Sequence, residues 1–221
     1  MKDNFIHLVF VVDKSGSMYN AVDDVVGGFN RVVEEQKAVK EGKCAVTLYT
    51  FDDTVKEVYL GKDVNEIGDF EYHVGGCTAM NDGIGTAIDN VGKWLASMPE
   101  DERPSKNLVV IMTDGEENSS MEYPLEKVKE MIKHQQDKYN WTFMFLGADI
   151  TTLNGARELG IRMSTVTSKK NLGNSYDMLS QGSMLYRTTC DASAASTMDC
   201  YFVETTAKMS DEYEKEKGIK L

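Results

Sequence analysis

The sequence predicts an α/β fold: an open, mostly parallel six-stranded sheet with one antiparallel edge strand and helices on both faces. Two observations carry this. Phe5–Val12, His7 apart, and Leu108–Met112 are apolar at successive positions, as strands buried on both sides of a parallel sheet are. Between the strand-like runs lie stretches whose apolar residues recur at helical spacing. With 221 residues, 41% of them hydrophobic and 27% charged, the chain has room for one sizeable domain and an appended element.

Taken in order, the first strand ends at Val12. Val22, Val25, Val26, Phe29, Val32 and Val33 then form the inner stripe of a long helix. Asp23 and Asp24 fall in its first turns, where the helix dipole favours anions, and read as a solvated start rather than as ligands. Ala45–Phe51 is a second strand, rich in β-branched and aromatic residues. Asp52 and Asp53 turn the chain into a returning edge strand, Thr54–Tyr59, blunted by Lys56 and Glu57. Residues Gly61–Phe70 read as irregular or helical, followed by a loop at Gly75-Gly76. Asn81 is placed to cap the next helix, whose stripe is Ile84, Ala87, Ile88, Val91 and Leu95 with Trp94 at its margin.

Pro99 and Pro104 bracket a polar connection ahead of the strand Leu108–Met112. A rim of Glu116, Glu117, Asn118, Ser119 and Ser120 follows, and Pro124 suits the first turn of a helix presenting Leu125, Val128, Met131 and Ile132. Trp141–Leu146 is strand five, a short helix from Asp149 ends near Gly160, and Ile161–Thr167 is strand six. Asn171–Arg187 has a partial helical stripe that Gly173 and Gly182 weaken. A domain over residues 1–190 is the expectation, with 191–221 an extension that is helical or partly disordered.

The chemistry concentrates where the two apolar strands stop. Asp13, Ser15 and Ser17 put three oxygen side chains at alternating positions on one loop, with Gly16 permitting a tight bend. In open α/β sheets ligands bind beyond the carboxyl ends of the strands. Hard oxygen donors on a compact loop suit Mg²⁺ better than zinc or copper. The competing reading is structural: Asp13 caps the following helix, and the serines satisfy its free N–H groups.

The Asp-x-Ser-x-Ser pattern resembles the metal-ion-dependent adhesion site of von Willebrand factor A domains. The likeness extends to Gly75-Gly76-Cys77-Thr78, in the place of that family's ligand threonine, and to Val109–Gly115, in the place of its strand-four aspartate. It covers roughly residues 5–167. The resemblance implies a Rossmann-like fold and a divalent cation, Mg²⁺ with Mn²⁺ or Ca²⁺ as alternatives, on Asp13, Ser15, Ser17, Thr78 and Asp114. It also implies a protein partner that supplies an Asp or Glu carboxylate to the ion. Intracellular members of the family are often adaptors, including partners of AAA-type ATPases and assembly complexes.

An enzyme of haloacid-dehalogenase type also places an aspartate after its first strand, with a second acid two residues on. Ser15 stands at that second position and cannot serve as a general acid as a tuned carboxyl does. No phosphate-gripping Gly-rich loop occurs, and His7, His73 and His134 lie far apart in the sequence, so a non-enzyme is expected. A third reading is a scaffold in which the metal only stiffens the fold. The formal charge of −12 argues against nucleic acid and anionic membranes as partners. No leader pattern or spanning apolar window is visible, which leads to the expectation of a cytoplasmic protein. Cys44, Cys77, Cys190 and Cys200 show no zinc spacing and read as free thiols, a Cys190–Cys200 bridge being the alternative.

Overall fold

The two apolar runs lie side by side in the middle of one sheet. A computed structural model describes residues 2–147, 152–161, 163–166, 172–189 and 194–218. Its strands are β1 (Lys2–Asp13), β2 (Lys43–Phe51), β3 (Val55–Asp63), β4 (Pro104–Thr113), β5 (Thr142–Gly147) and β6 (Met163–Val166), in the order β3-β2-β1-β4-β5-β6. Every neighbouring pair is parallel except β2 and β3, so the expected mostly parallel sheet with one antiparallel edge is the one observed. The helices are α1 (Val22–Ala38), α2 (Met80–Ala96), α3 (Leu125–Tyr139), α4 (Thr152–Glu158), α5 (Leu172–Thr188) and α6 (Ala194–Lys217).

Side-chain alternation along β1 separates two core layers. Ile6, Leu8, Phe10 and Val12 pack with Val25, Phe29 and Val32 of α1 and with Tyr176 and Leu179 of α5. Val9 and Val11 face the other way, toward Ile84, Ile88 and Val91 of α2 and Val128 and Ile132 of α3. Both layers hold β1 and β4 rigidly, and these two strands end together, with Val12 in register with Met112. That shared end sets Asp13 beside Thr113.

Several local expectations are corrected. The stretch from Gly61 is not irregular at its start: β3 continues to Asp63, and a single 3-10 turn, Val64–Glu66, follows. Gly61 has φ +58°, and a Cβ there would lie 2.1 Å from the Trp94 ring, so the glycine lets the strand pass the indole. Asn81 does not cap α2. The helix starts at Met80, and its first N–H groups are bonded from outside, by Glu117 to Asn81 N (2.8 Å) and Ser120 Oγ to Asp82 N (3.0 Å). Pro124 sits just before α3 rather than in its first turn.

Helix α5 runs unbroken through Gly173 and Gly182. At Gly182 a Cβ would meet the Phe202 ring at 2.4 Å, so this glycine serves close packing of α5 on α6. Residues 194–217 are helical, and Met198, Phe202 and Met209 join the same core layer as α1 and α5. Cys44, Cys77 and Cys200 carry free thiols. Asp149, Thr167, Asn171 and Cys190 lie outside the described residues. Among the described residues no helix is long and apolar enough to cross a membrane.

Candidate metal centre

Three loops meet beyond the ends of β1 and β4. The first follows β1. Asp13 is fully buried; its Oδ1 accepts from Ser15 N–H (2.7 Å) and its Oδ2 from the Thr113 hydroxyl (2.6 Å). The Tyr72 hydroxyl donates to the Asp13 backbone carbonyl. Ser17 Oγ donates to Asp114 Oδ1 (2.5 Å) and lies 3.0 Å from Ser15 Oγ. A hydroxyl has one proton, so with that of Ser17 on Asp114 the proton between the serines belongs to Ser15.

The second loop is stitched to the first by backbone. Gly75 N–H donates to Lys14 O (2.8 Å), and Gly16 N–H donates to Gly76 O (3.2 Å). Gly76 has φ +76°, a conformation L side chains rarely adopt, which is why glycine stands there. Thr78, 3% exposed, is clamped to the third loop by a pair of bonds. Its N–H donates to Asn118 Oδ1 (2.9 Å) and its carbonyl accepts from Asn118 N–H (3.1 Å). A Cβ added to Gly115 would lie 3.3 Å from Thr78 Oγ1 and 3.6 Å from Ser17 Oγ, so both hydroxyls face the same small space over this glycine.

The fold thus brings together all five residues singled out in the sequence: Asp13, Ser15, Ser17, Thr78 and Asp114. The helix-capping alternative fails on geometry. Ser15 precedes a 3-10 turn, Gly16–Ala21, without a side-chain bond that caps its N–H groups, and Ala21 precedes α1 likewise. The serine hydroxyls point to each other and to Asp114 instead. Asp23 and Asp24 are exposed on the first turn of α1.

Burial pushes the Asp13 carboxyl above its usual range; the bonds from Thr113 and Ser15 oppose this, and the charge of Asp114 adds to it. Lys14, next in the chain, pairs with Asp52 rather than with Asp13. Two carboxylates and three hydroxyls form a donor set that fits a hard divalent cation. Among the described residues no three His, Cys, Asp or Glu could hold a metal together, so a thiolate, imidazole or acid-rich centre is absent from them.

Sequence reasoning missed the braces. Thr113 was visible only as a neighbour of Asp114, and Tyr72 carried no pattern at all. Glu117 was read only as part of an acidic and polar rim, yet it folds inward: Oε1 accepts from Ser119 N (2.9 Å) and Ser120 N (2.7 Å), Oε2 from Asn81 N (2.8 Å) and Ser120 Oγ (2.7 Å). Asp82 accepts from the N–H groups of Met121, Glu122 and Tyr123 (2.8–2.9 Å). Together these acids fix the third loop on the start of α2.

The model of the von Willebrand factor type A domain matches residues 7–181. The chain belongs to this family. No curated protein matches the sequence. Among solved structures it is similar to the von Willebrand domain of the type V pili tip protein Mfa5 from Porphyromonas gingivalis, with 12% identity and a TM-score of 0.62, over 85% of this chain and 97% of that one. It is also similar to the pilus adhesin SpaC from Lactobacillus rhamnosus GG, with 15% identity and a TM-score of 0.62, over 85% of this chain and 30% of that one. Proximal thread matrix protein 1 of the mussel byssus shares 15% identity with a TM-score of 0.57, over 82% of this chain and 47% of that one. The chain thus spans about half the length of the mussel protein and less than a third of the adhesin. At these identities the likeness is one of fold.

Proposed function

We propose that this von Willebrand A domain holds a divalent cation, Mg²⁺ in the first place, and uses it to dock a protein partner through a carboxylate. The gathering of oxygens from three separate loops, Ser17 and Thr78 over Gly115 with Ser15 and Asp114 each within hydrogen-bond reach of Ser17, is the observation that supports it most. Those four side chains would be the direct donors. Asp13 already accepts two bonds and would act by orienting Ser15 and by its charge. A cation held there would offer an electron-poor centre to an external oxygen anion, because three of its protein donors are neutral hydroxyls. Ser17 is exposed while Asp13, Ser15 and Thr78 are buried, so the open side is the solvent side. The names of the similar proteins, a pili tip protein and a pilus adhesin, agree with a protein-binding role.

A nucleophilic role for Asp13 fits poorly, since its carboxylate is fully buried and both oxygens are engaged. The test is water-proton relaxation with Mn²⁺ as probe. Bound Mn²⁺ should enhance relaxation in the wild type, glutarate should reduce the enhancement by displacing bound water, and Thr78→Ala should weaken both effects. Enhancement indifferent to glutarate would mean that the ion is purely structural.

A further inference from the structure

The end of the sheet opposite the metal centre holds a cavity of about 520 Å³, within the range of small-ligand sites. It lies between the C-terminal ends of α2 and α3, over the starts of β4 and β5. Leu95, Pro104 and Trp141 give it an apolar wall, and Arg103, Lys138 and Glu100 bring charge. With His134 at its border counted neutral, the local balance is positive in a chain whose formal charge is −12. None of these three charged side chains makes an ion pair among the described residues. Arg103 is anchored by its Nε, which donates to the Met98 carbonyl (3.0 Å), and its other N–H groups have no acceptor among those residues. Helix C-termini attract cations by themselves, so the charges alone assign nothing.

Asn107 supplies the independent sign of a guest. It is 6% exposed and lines the cavity from β4. A chain of protons fixes which way its amide points. Thr47 Oγ1 accepts from Gly61 N–H (2.8 Å), and among the described residues its own proton has one acceptor, His7 Nε2 (2.8 Å). His7 Nδ1 therefore carries the ring proton and donates it to Asn107 Oδ1 (3.1 Å). The Nδ2 end keeps two N–H donors with no acceptor among the described residues, and it is not sealed from solvent, so it opens to the cavity. Amide, guanidinium and ammonium all donate, and an anionic oxygen pair is what they have in common as a match. Glu100 and the negative ends of α2 and α3 oppose a doubly charged guest, which favours a carboxylate over a phosphate monoester.

We infer that this cavity binds a small carboxylic acid with an apolar body, its carboxylate between Arg103 and Asn107 and its body against Leu95 and Trp141. The site is separate from the metal centre and needs no ion. The experiment is a titration of ¹⁵N-labelled full-length chain with sodium phenylacetate, in EDTA so that the metal centre cannot take the carboxylate. Acetate, phenethylammonium and phenyl phosphate are run beside it at equal ionic strength. Saturable shifts are expected at the Asn107 side-chain amide, the Gly92 amide and the Trp141 indole. Arg103→Gln should weaken binding about tenfold, as loss of a hydrogen bond between charged groups predicts. Lys138→Gln, at an exposed position that folding does not depend on, should weaken it about threefold, and Lys208→Gln on α6 should leave it unchanged. Shifts that never saturate, that spare the Asn107 side chain, or that survive both Arg103→Gln and Lys138→Gln overturn the proposal. Equal binding of phenethylammonium or tighter binding of phenyl phosphate overturns the carboxylate assignment. Equal binding of acetate overturns the apolar body.

Discussion

Replacing Thr113 by valine should disable the site without touching any proposed ligand. The threonine hydroxyl lies 2.6 Å from Asp13 Oδ2 and 3.1 Å from the Gly115 carbonyl, and it accepts from Gly115 N–H at 3.1 Å. Its one proton goes to the shorter, charged acceptor. Valine keeps the shape but leaves a fully buried carboxylate oxygen and a glycine N–H without these partners. A hydrogen bond to a charged group contributes about 1.5–3 kcal/mol and a neutral one about 1, so the change should cost roughly 3 kcal/mol. Thr113→Ser keeps the hydroxyl and should cost about 1 kcal/mol for the lost methyl. Urea denaturation in EDTA at neutral pH separates the two variants. Mg²⁺ affinity should also fall about 10–100-fold in the valine variant, as it does when a residue that orients a ligand is lost. Equal stability of the valine and serine variants would refute the reasoning, because it would mean that Asp13 needs no brace.

Three further outcomes follow from the same bookkeeping of partners. His7 is fully buried between Asn107 Oδ1 (3.1 Å) and Thr47 Oγ1 (2.8 Å), and burial lowers its pKa from 6.5 to about 4. The unfolded chain therefore binds the proton more readily, and this contribution to stability, present above pH 6.5, is lost as pH falls toward 4. It amounts to about 3 kcal/mol, and denaturant titrations across that window should lose this slope in His7→Gln. Gly76→Ala should destabilise by more than about 1 kcal/mol because φ is +76°, and should weaken Mg²⁺ binding by shifting the carbonyl that accepts from Gly16; unchanged thermal unfolding would contradict this. Lys106, 1% exposed, pairs with Asp199 of α6 at 3.0 Å, so Asp199→Asn should cost about 3 kcal/mol while Lys106→Met costs less. Equal losses would show that the buried charge is not what ties α6 to β4.

The sheet was legible because its strands announce themselves. Leu108–Met112 and, His7 apart, Phe5–Val12 are apolar on both faces over lengths that suit a strand better than a helix. Asp13, Ser15, Ser17 and Asp114 were legible because two strand ends are marked by an abrupt change to polar side chains, whereas Thr78 came only from the resemblance to von Willebrand factor A domains. What stayed hidden depends on pairs distant in sequence. Glu117 was read only as part of an acidic rim because nothing local shows that Asn81, 36 positions earlier, offers it an N–H. Asn81 was read as a cap from its type alone, while the cap was another loop's carboxylate. Gly182 was counted against α5 by its helix propensity, but the deciding term was the Phe202 ring packed against it from α6. Gly61 escaped notice for the same reason, with Trp94 as the unseen neighbour.

The central claim is that a divalent cation sits on the hydroxyl-rich set, and calorimetry of Mg²⁺ into EDTA-stripped protein tests it most directly. Ser17 is the residue to vary, because it is exposed and its loss leaves the Asp13 brace intact. The wild type should show one binding event and a Tm that rises with Mg²⁺ by mass action. Ser17→Ala should retain the circular dichroism and EDTA-state Tm of the wild type and bind at least about tenfold more weakly. No heat at millimolar Mg²⁺ in the wild type, or equal binding by Ser17→Ala, would contradict the account.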